Sequence, residues 1–276
     1  MAQWRDSARS RSEAWISETG EAGPYAPTPA EPMAIALPLR LHAEAVEELI
    51  DRLPPVVAPP SFDARHVRAA EPGAFLALRL LAASHGVEPP SIPVPADALV
   101  PPTSVADALG AAALFETIGG APFLERASGW GWSQADGRKL ASMIRELARN
   151  AVDHAGSPAW VAAWRTGPGE LRIAVADAGV GFGGSLGRRD EQDAILQALV
   201  HGATRSPECG TGDGLRRVGQ LVARWGGRMR VRSGTALVDG APPWHDAAVR
   251  THLPHLPGVQ VEVILPCPKL RPARNP

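Results

Sequence analysis

Apolar residues recur at helical spacing in several separate parts of the chain. The clearest case is residues 134–155, where Leu147 and Ala151 lie four positions apart and Ala148 and Val152 repeat that step. This spacing places the apolar side chains on one side of a helix. The pattern therefore predicts a helix over residues 134–155.

The N-terminal half alternates short apolar runs with helical segments. Strands are predicted in "MAIALPLRL", "PPSFDARHV" and "SIPVPADALV", and helices in "HAEAVEELIDRL", "EPGAFLALRLLAASHG" and "SVADALGAAALFETIG". Ser104 is the expected N-cap of the last helix. The β-α-β-α-β-α order favours a small α/β domain over residues 33–118. Residues 1–32, which become rich in Pro, Ala and Glu, are expected to be a flexible tail.

The C-terminal half has a different order of elements. After a connector at 119–133 and the helix at 134–155, strands are predicted in "AWVAAWRTG" and "ELRIAVADAG". A long glycine-containing loop with a helix inside it follows, then a helix over 213–225 and strands in "RMRVRSGTALV" and "GVQVEVILP". Residues 134–266 therefore combine helices with an antiparallel or mixed sheet, and 267–276 are a tail.

Composition excludes several classes of protein. The 276 residues are 45% hydrophobic, with a net charge of −1, so bulk charge does not indicate binding to nucleic acid or to an acidic membrane. The two cysteines are far apart and fit no metal spacing. No signal peptide and no run of 18 apolar residues is found, which predicts a cytoplasmic protein without a membrane span. Lys139 and Lys269 are the only lysines, so anion binding would depend on arginine or backbone N–H groups.

The helix at 134–155 carries a stripe of polar side chains, which we call the polar stripe. Glu146, Asn150 and Asp153 lie at helical spacing in "RELARNAVDHA" and so fall along one side of the helix. Taken alone, such a stripe is most often a solvated helix face.

A second candidate, the first glycine segment, is "AVADAGVGF" at 174–182. Asp177 ends an apolar strand, and Gly179 and Gly181 follow it. A carboxylate in this place can accept a hydrogen bond from an exocyclic amine, and glycines let a flat ligand approach the backbone. An ordinary turn with an Asx-type hydrogen bond is the alternative.

A third candidate, the second glycine segment, is "GTGDGLRRVGQLVARWGG" at 210–227. Gly210, Gly212 and Gly214 lead directly into an amphipathic helix. Successive backbone N–H groups and the positive end of a helix together make a cradle for an anion. A flexible loop that caps the helix is the alternative, and the pattern is not a P-loop, since no Gly-Lys-Ser/Thr ends it.

The order and spacing of these three segments resemble the ATP-binding domain shared by DNA gyrase, heat-shock chaperone ATPases, histidine kinases and mismatch-repair ATPases. The resemblance covers residues 134–266 and implies their α+β two-layer sandwich fold. "LVHGATRSPECGTGDGL" is similar to the lid of that family, here part of 183–209, and "GVQVEVILP" to its closing strand.

The resemblance implies ATP and Mg²⁺ as ligands and gives each segment a role. Asn150 would coordinate Mg²⁺, and Glu146 would orient or deprotonate a water or a substrate hydroxyl. Asp177 would bind the adenine amino group. The remaining nucleotide contacts are expected from the glycine segments and the lid: Gly179, Gly181, Arg205, Gly210, Thr211, Gly212, Gly214 and Leu215.

The residue type at position 146 indicates which branch of the family this sequence is most similar to. The hydrolytic ATPases and the anti-sigma-type serine kinases carry Glu here, whereas sensor histidine kinases often carry Asn, and no phosphoacceptor histidine motif is present. The expected function is an ATP-binding regulator that switches a protein partner, as an ATPase or a serine/threonine kinase; a homodimer is left open. Asp213, beside the expected phosphates, favours the alternative of a non-catalytic interaction module.

The N-terminal half resembles the small anti-sigma-antagonist-like (STAS) domains in its element order. Their strand-loop-helix unit presents a serine or threonine to a partner kinase. The corresponding loop here is "RAAEPGAF", with Glu71 and Pro72 and no hydroxyl residue. The resemblance implies a version that cannot be phosphorylated, and a generic α/β domain is the alternative.

Overall fold

The structure is a computed structural model that describes residues 34–53, 59–167, 169–202 and 213–268. The strands are β1 (Ala34–Ala36), β2 (Arg40–Leu41), β3 (Ser61–Asp63), β4 (Ala69–Ala70), β5 (Val100–Val105), β6 (Ala159–Arg165), β7 (Glu170–Asp177), β8 (Arg228–Gly234), β9 (Ala236–Gly240), β10 (Ala248–Arg250) and β11 (Leu256–Pro266). The helices are α1 (Ala43–Arg52), α2 (Pro72–Ser84), α3 (Ala108–Thr117), α4 (Ala121–Gly129), α5 (Gln134–Ala155), α6 (Gly181–Leu186), α7 (Glu191–His201) and α8 (Asp213–Arg224).

A seven-stranded sheet in the order β10-β9-β8-β11-β7-β6-β5 forms the middle of the molecule. Its neighbouring strands are all antiparallel. The long strand β11 is central, and its Val261 pairs with Val175 of β7 on one side and Val231 of β8 on the other. The mixture of helix and sheet predicted from the sequence is confirmed, and of the two expected kinds of sheet, antiparallel or mixed, the sheet is antiparallel.

One face of this sheet, the front face, is covered by α5, α7 and α8. Ser133 caps α5, since its Oγ accepts a hydrogen bond from the Asp136 N–H at 3.0 Å, and Gly156 ends the helix with φ +61. The predicted bounds of 134–155 are therefore confirmed. The buried side of α5 packs on alternate apolar residues of the strands to form the front core, which includes Leu140, Ile144, Leu147, Ile173, Val231 and Val263.

The opposite face of the sheet, the back face, is covered by α1 and α2. Apolar side chains of α2 pack on Ala162, Trp164, Ala174 and Ala176 of the sheet. Trp164 is 1% exposed, and its Nε1 donates a hydrogen bond to the Ala70 carbonyl at 2.9 Å. The N-terminal segment and the sheet thus share one core.

The short N-terminal strands form two separate parallel pairs, β1 with β3 and β2 with β4. This arrangement does not identify a STAS-like domain, so that resemblance stays a prediction.

The third strand and helix predicted for the N-terminal half belong to the seven-stranded sheet and its front face. The expected strand at 91–100 begins only at Val100, and β5 continues to Val105 as the edge strand beside β6, a position in which Pro101 and Pro102 are tolerated. The following helix is capped by Asp107, whose Oδ1 accepts from the Gly110 N–H at 2.8 Å, and not by Ser104. Residues 100–118 therefore contribute to the main sheet and its front core.

The stretch "RMRVRSGTALV" is also divided differently from the expectation. It forms two antiparallel strands, β8 and β9, with Gly234 at φ +52 where the chain turns. A single strand was expected, whereas Gly234 and Thr235 form a turn that divides the stretch in two.

Two tryptophans join the far ends of α5 and α8. Trp132 precedes α5 and Trp225 follows α8, and their rings meet edge to face with centroids 5.0 Å apart. Both side chains are buried in the front core.

In the part of the chain that the structure describes, no helix is both long and apolar enough to cross a membrane. Cys267 is buried and free, while Cys209 lies outside the described residues.

Candidate functional site

Helix α5 brings the three segments together. Gly214 in the first turn of α8 lies so close to Glu146 that a Cβ built on it would stand 2.0 Å from Glu146 Oε1. A Cβ on Gly179 would stand 2.4 Å from the Ala155 carbonyl oxygen at the end of α5. Helix α5 is therefore adjacent to both glycine segments. At Gly179 the close contact is with the backbone of Ala155 and requires a glycine, whereas at Gly214 it is with the flexible side chain of Glu146.

Asp177 is the last residue of β7 and is 5% exposed. Its Oδ1 accepts hydrogen bonds from the backbone N–H groups of Gly179 at 2.9 Å and Val259 at 3.3 Å. Burial raises the pKa of this carboxyl to about 6, and the two backbone hydrogen bonds partly oppose that effect. At neutral pH the side chain is mostly an ionised acceptor, and the described donors reach only one of its two oxygens.

Gly258 on β11 lets Asp177 take this position. Its φ is +76, and a Cβ there would stand 1.8 Å from the Asp177 carbonyl oxygen. The sequence analysis missed this residue because the contact joins segments about 80 positions apart.

The first glycine segment is shaped by contacts within the protein. Gly179 packs against Ala155, and Gly181 has φ +72 with its missing Cβ 2.8 Å from Ser233 Oγ. These contacts explain why both residues are glycine. The approach of a nucleotide base to them stays a prediction.

The polar stripe is divided by exposure. Glu146 and Asn150 are half-buried, whereas Asp153 is exposed; His154, the next residue, is half-buried. Glu146 contacts the second glycine segment at Gly214, whereas the placement of Asn150 toward a nucleotide stays a prediction.

The second glycine segment is described only from Asp213. Arg205, Gly210, Thr211 and Gly212 lie outside the described residues, so their roles stay predictions. Leu215 is 7% exposed and packs in the front core, where it holds the first turn of α8.

Asp213 forms an ion pair with Arg216, with 2.7 Å between Oδ1 and Nη2. The sequence analysis placed Asp213 beside the expected phosphates without naming a partner for its charge. The i,i+3 spacing of the pair on α8 was the available signal.

A hydrogen-bonded cluster that the sequence analysis missed supports the first glycine segment. Ser233 Oγ donates to Glu191 Oε2 at 2.8 Å and accepts from the Phe182 N–H at 2.9 Å. Glu191 Oε2 also accepts from the Gly183 N–H at 3.2 Å. The cluster ties α6 and α7 to β8, and no local pattern indicates it because its members are distant in sequence.

The helix predicted inside the lid is confirmed as α7. Its apolar side is buried in the front core, with Ile195 at 0% and Leu199 at 2% exposure. Arg188 forms an ion pair with Asp193, and both Arg188 and Arg189 are exposed. Detachment of α7 from the sheet would expose Ile195 and Leu199.

The comparison with protein-family models identifies the family of residues 135–266. The family model "Histidine kinase-, DNA gyrase B-, and HSP90-like ATPase" matches residues 135–266. Among solved structures, a mycobacterial sensor histidine kinase, MprB, is 22% identical, with 48% of this chain and 72% of that chain covered and a TM-score of 0.30. A comparison with curated proteins gave no match. Residues 135–266 are an ATPase domain of the histidine kinase, DNA gyrase B and HSP90 type, a kind of domain that binds ATP, usually with Mg²⁺.

Proposed function

We propose that this domain binds MgATP at the meeting point of α5 and the two glycine segments, and that its nucleotide state switches a protein partner. The observation that carries the proposal is the contact of α5 with both segments, at Gly214 and at Gly179. Through it, α5 lies between the segment that follows Asp177 and the start of α8, with Glu146 at the second contact.

Asp177 would accept the adenine amino group. Its Oδ1 is held by two backbone N–H groups, so the carboxylate is fixed in orientation, and Oδ2 is the oxygen left for the base. A fixed, largely buried acceptor distinguishes a base that has an amino group from one that has a carbonyl in the same place.

Asn150 and Glu146 would act at the phosphate end. The amide oxygen of Asn150 is a hard ligand of the type that Mg²⁺ prefers. Glu146 lies one turn earlier, against the start of α8, where it would orient a water or a hydroxyl and take its proton. ATP supplies a γ-phosphoryl group that can pass to water or to a serine or threonine.

The phosphates themselves would lie at the N-terminal end of α8. The backbone N–H groups of that first turn and the helix dipole favour an anion there. Gly210, Thr211, Gly212 and Arg205 are proposed as further contacts.

A non-catalytic module with a degenerate nucleotide site is the second candidate. Asp213, in the first turn of α8, favours it because a carboxylate beside a triphosphate is repulsive. The ion pair with Arg216 offsets part of that charge. The exposed pair contributes little stability by itself, so it bears on nucleotide binding more than on folding.

Nucleotide binding and its adenine preference test the first candidate. MgATP at 100 times its Kd should stabilise the protein against unfolding by about 2.7 kcal/mol. Asp177→Asn should weaken ATP binding by about 1.5–3 kcal/mol and GTP binding less, because one charged hydrogen bond to the amine is lost. Asp51→Asn, on the exposed side of α1, is the matched control. Equal losses for both nucleotides, or none, would contradict the adenine role.

Turnover separates the two candidates. With MgATP bound, Glu146→Gln should lower phosphate release or transfer by about 10²–10⁴-fold while nucleotide affinity is kept. Saturable MgATP binding without any turnover in the unmodified protein would instead favour the non-catalytic module.

A further inference from the structure

Three carboxyl groups surround one arginine where helix α2 begins on the back face. Together they form what we call the Arg172 cluster: Arg172 and Glu170 of β7, Glu71 at the N-cap of α2, and Glu262 of β11. The Nη1 atom of Arg172 lies 2.9 Å from Glu71 Oε2 and 3.5 Å from Glu262 Oε2. Its Nη2 atom lies 3.2 Å from Glu170 Oε2. The charge of a single guanidinium is therefore divided among three acids.

Glu262 is the deepest of these carboxyl groups. Its side chain is 5% exposed, compared with 20% for Glu71 and 42% for Glu170. Its Oε1 accepts a hydrogen bond from the Gly73 N–H at 3.2 Å. The carboxyl with the least access to water thus has the longest contact with the guanidinium, whereas the more exposed Glu71 has the shortest.

The neighbouring arginines of β8 compensate Glu262 only weakly, because α1 supplies closer partners for them. Arg230 Nη1 lies 2.8 Å from Glu44 Oε1, and Arg232 is paired with Glu47. Arg230 lowers the pKa of Glu262, but less than Arg172 does. The charges that face Glu262 from α1 and β8 are therefore already largely paired with one another.

A buried carboxyl that shares its counter-ion with other carboxylates holds its proton more tightly than one in water. Burial raises the pKa of Glu262 to about 7, an effect that Arg172 and the Gly73 N–H oppose and that the charge of Glu71 strengthens. Its ionised fraction accordingly rises from about one tenth at about pH 6 to about nine tenths at about pH 8. The charge of the cluster thus changes near neutral pH.

The cluster also joins separate parts of the chain. Glu71 Oε2 accepts a hydrogen bond from the Ala43 N–H at the start of α1, at 3.2 Å. Gly73, which donates to Glu262, is in the first turn of α2. Both helices that cover the back face are therefore held to β7 and β11 through this group of side chains.

We propose that the Arg172 cluster is a pH-dependent joint between the two covering helices and the sheet. A proton on Glu262 keeps α1 and α2 attached, and loss of that proton places a second buried negative charge beside Glu71 and weakens the attachment. The cluster contains none of the residues proposed for the nucleotide, so this inference does not depend on ATP binding.

The direction of the pH effect follows from the proton affinity of Glu262 in the two states. When α1 and α2 leave the sheet, Glu262 is solvated and its pKa returns to its ordinary value of 4.5. The attached state keeps the proton up to about pH 7, so attachment is strongest below about pH 4.5 and weakens as pH rises to about 7. The equilibrium constant for detachment should rise by up to about tenfold for each pH unit in this range.

Carboxyl carbon NMR of the full-length protein tests the charge sharing, with the Glu262 signal assigned through its connectivity to the backbone. The titration midpoint of Glu262 should lie close to 7. Glu71→Gln keeps an oxygen acceptor but removes the charge, and should lower that midpoint by about one pH unit. Glu88→Gln, an exposed change beyond the other end of α2, should leave it unchanged. A midpoint below about 5 in the unmodified protein, or one that Glu71→Gln does not move, overturns the proposal.

Hydrogen exchange of the Ala43 and Gly73 amides measures the attachment itself. After correction for the intrinsic effect of pH on exchange, their protection should fall by up to about tenfold per pH unit between about pH 5 and about pH 7. The same amides in Glu262→Gln should show no such fall. Both amides should also be less protected than that of Val231, which is buried in the middle of the sheet. Protection equal to that of Val231 would mean that only complete unfolding exposes Glu262. That result, or a pH dependence no larger than in Glu262→Gln, would overturn the joint.

Discussion

The two faces of the central sheet are built from the same strands but are covered in different ways. In β8, Met229 and Val231 face the front core, while Arg230 and Arg232 between them face the back. Apolar helices cover the front, whereas the charged part of the back is covered by α1 through Glu44 and Glu47. Alternation of apolar and charged residues usually indicates a solvated face. Here the charged side is covered by a distant part of the same chain.

Breaking the buried ion pair of the back face should have the largest effect. Glu47→Ala leaves Arg232, 3% exposed at its side chain, without its partner. A buried charge that loses its partner costs about 3–5 kcal/mol of unfolding free energy, measurable by urea denaturation. Glu48→Ala, which removes an exposed i,i+4 pair on the same helix, should cost under about 1 kcal/mol. Similar losses in the two variants would mean that the back face is solvated after all.

The protonation of Asp177 should make the unfolding free energy depend on pH, which allows a buried carboxyl outside the back face to be compared with those of the back face. Its pKa is raised to about 6 from 3.8, so the native state keeps a proton that the unfolded chain has already lost. Stability therefore falls as pH rises from about 4 to about 6, and the full cost persists above that range. Asp177→Asn should be more stable than the unmodified protein at pH 7, by about 1–3 kcal/mol.

Urea unfolding at several pH values checks this prediction. The advantage of Asp177→Asn should shrink as pH falls toward 4. Glu262→Gln on the back face is the comparison variant. Its effect on the unfolding free energy should change between about pH 4.5 and about pH 7, since the pKa of Glu262 is raised to about 7. A difference that does not change with pH would contradict the burial argument for Asp177.

Asn150→Ala should have the smallest effect on the fold. It should remove the Mg²⁺ dependence of ATP affinity, measured by calorimetry with and without Mg²⁺, because the amide ligand is lost. Unfolding free energy should stay within about 0.5 kcal/mol, since alanine is the better helix former. Ser142→Ala, an exposed change on the same helix, is the control. A metal effect that survives in Asn150→Ala would exclude this residue as the ligand.

The elements that position the front face could be predicted because their signals are local. Helix α5 has its apolar period, its cap at Ser133 and its glycine stop within one stretch of sequence. The first glycine segment follows a strand directly, and the second opens a helix. Their spacing along the chain was enough to indicate the family of residues 135–266.

The covering of the back face, the edge strand of the sheet and the raised pKa of Asp177 could not be predicted, because they depend on contacts between distant segments. The arginines of β8 indicate a polar face but not that Glu47, about 185 positions earlier, covers it. Nothing local shows that β5 joins β6 at the sheet edge, or that Ser233 meets Glu191. The position of Asp177 was predicted, but the raised pKa depends on burial that only the fold shows.

Helices α5 and α8 contact each other at both ends, and the tryptophan pair lies at the ends distant from Glu146 and Gly214. Glu146 and Gly214 meet at one end, and Trp132 and Trp225 meet at the other. The arm from Gly214 to Trp225 is eleven residues, or about 16 Å at about 1.5 Å per residue. A rotation of about 5° about the indole contact would displace Gly214 by about 1.4 Å on this geometry. A small tilt at the tryptophans is thus sufficient to change the contact between Glu146 and Gly214, and indole fluorescence is the signal that would follow it.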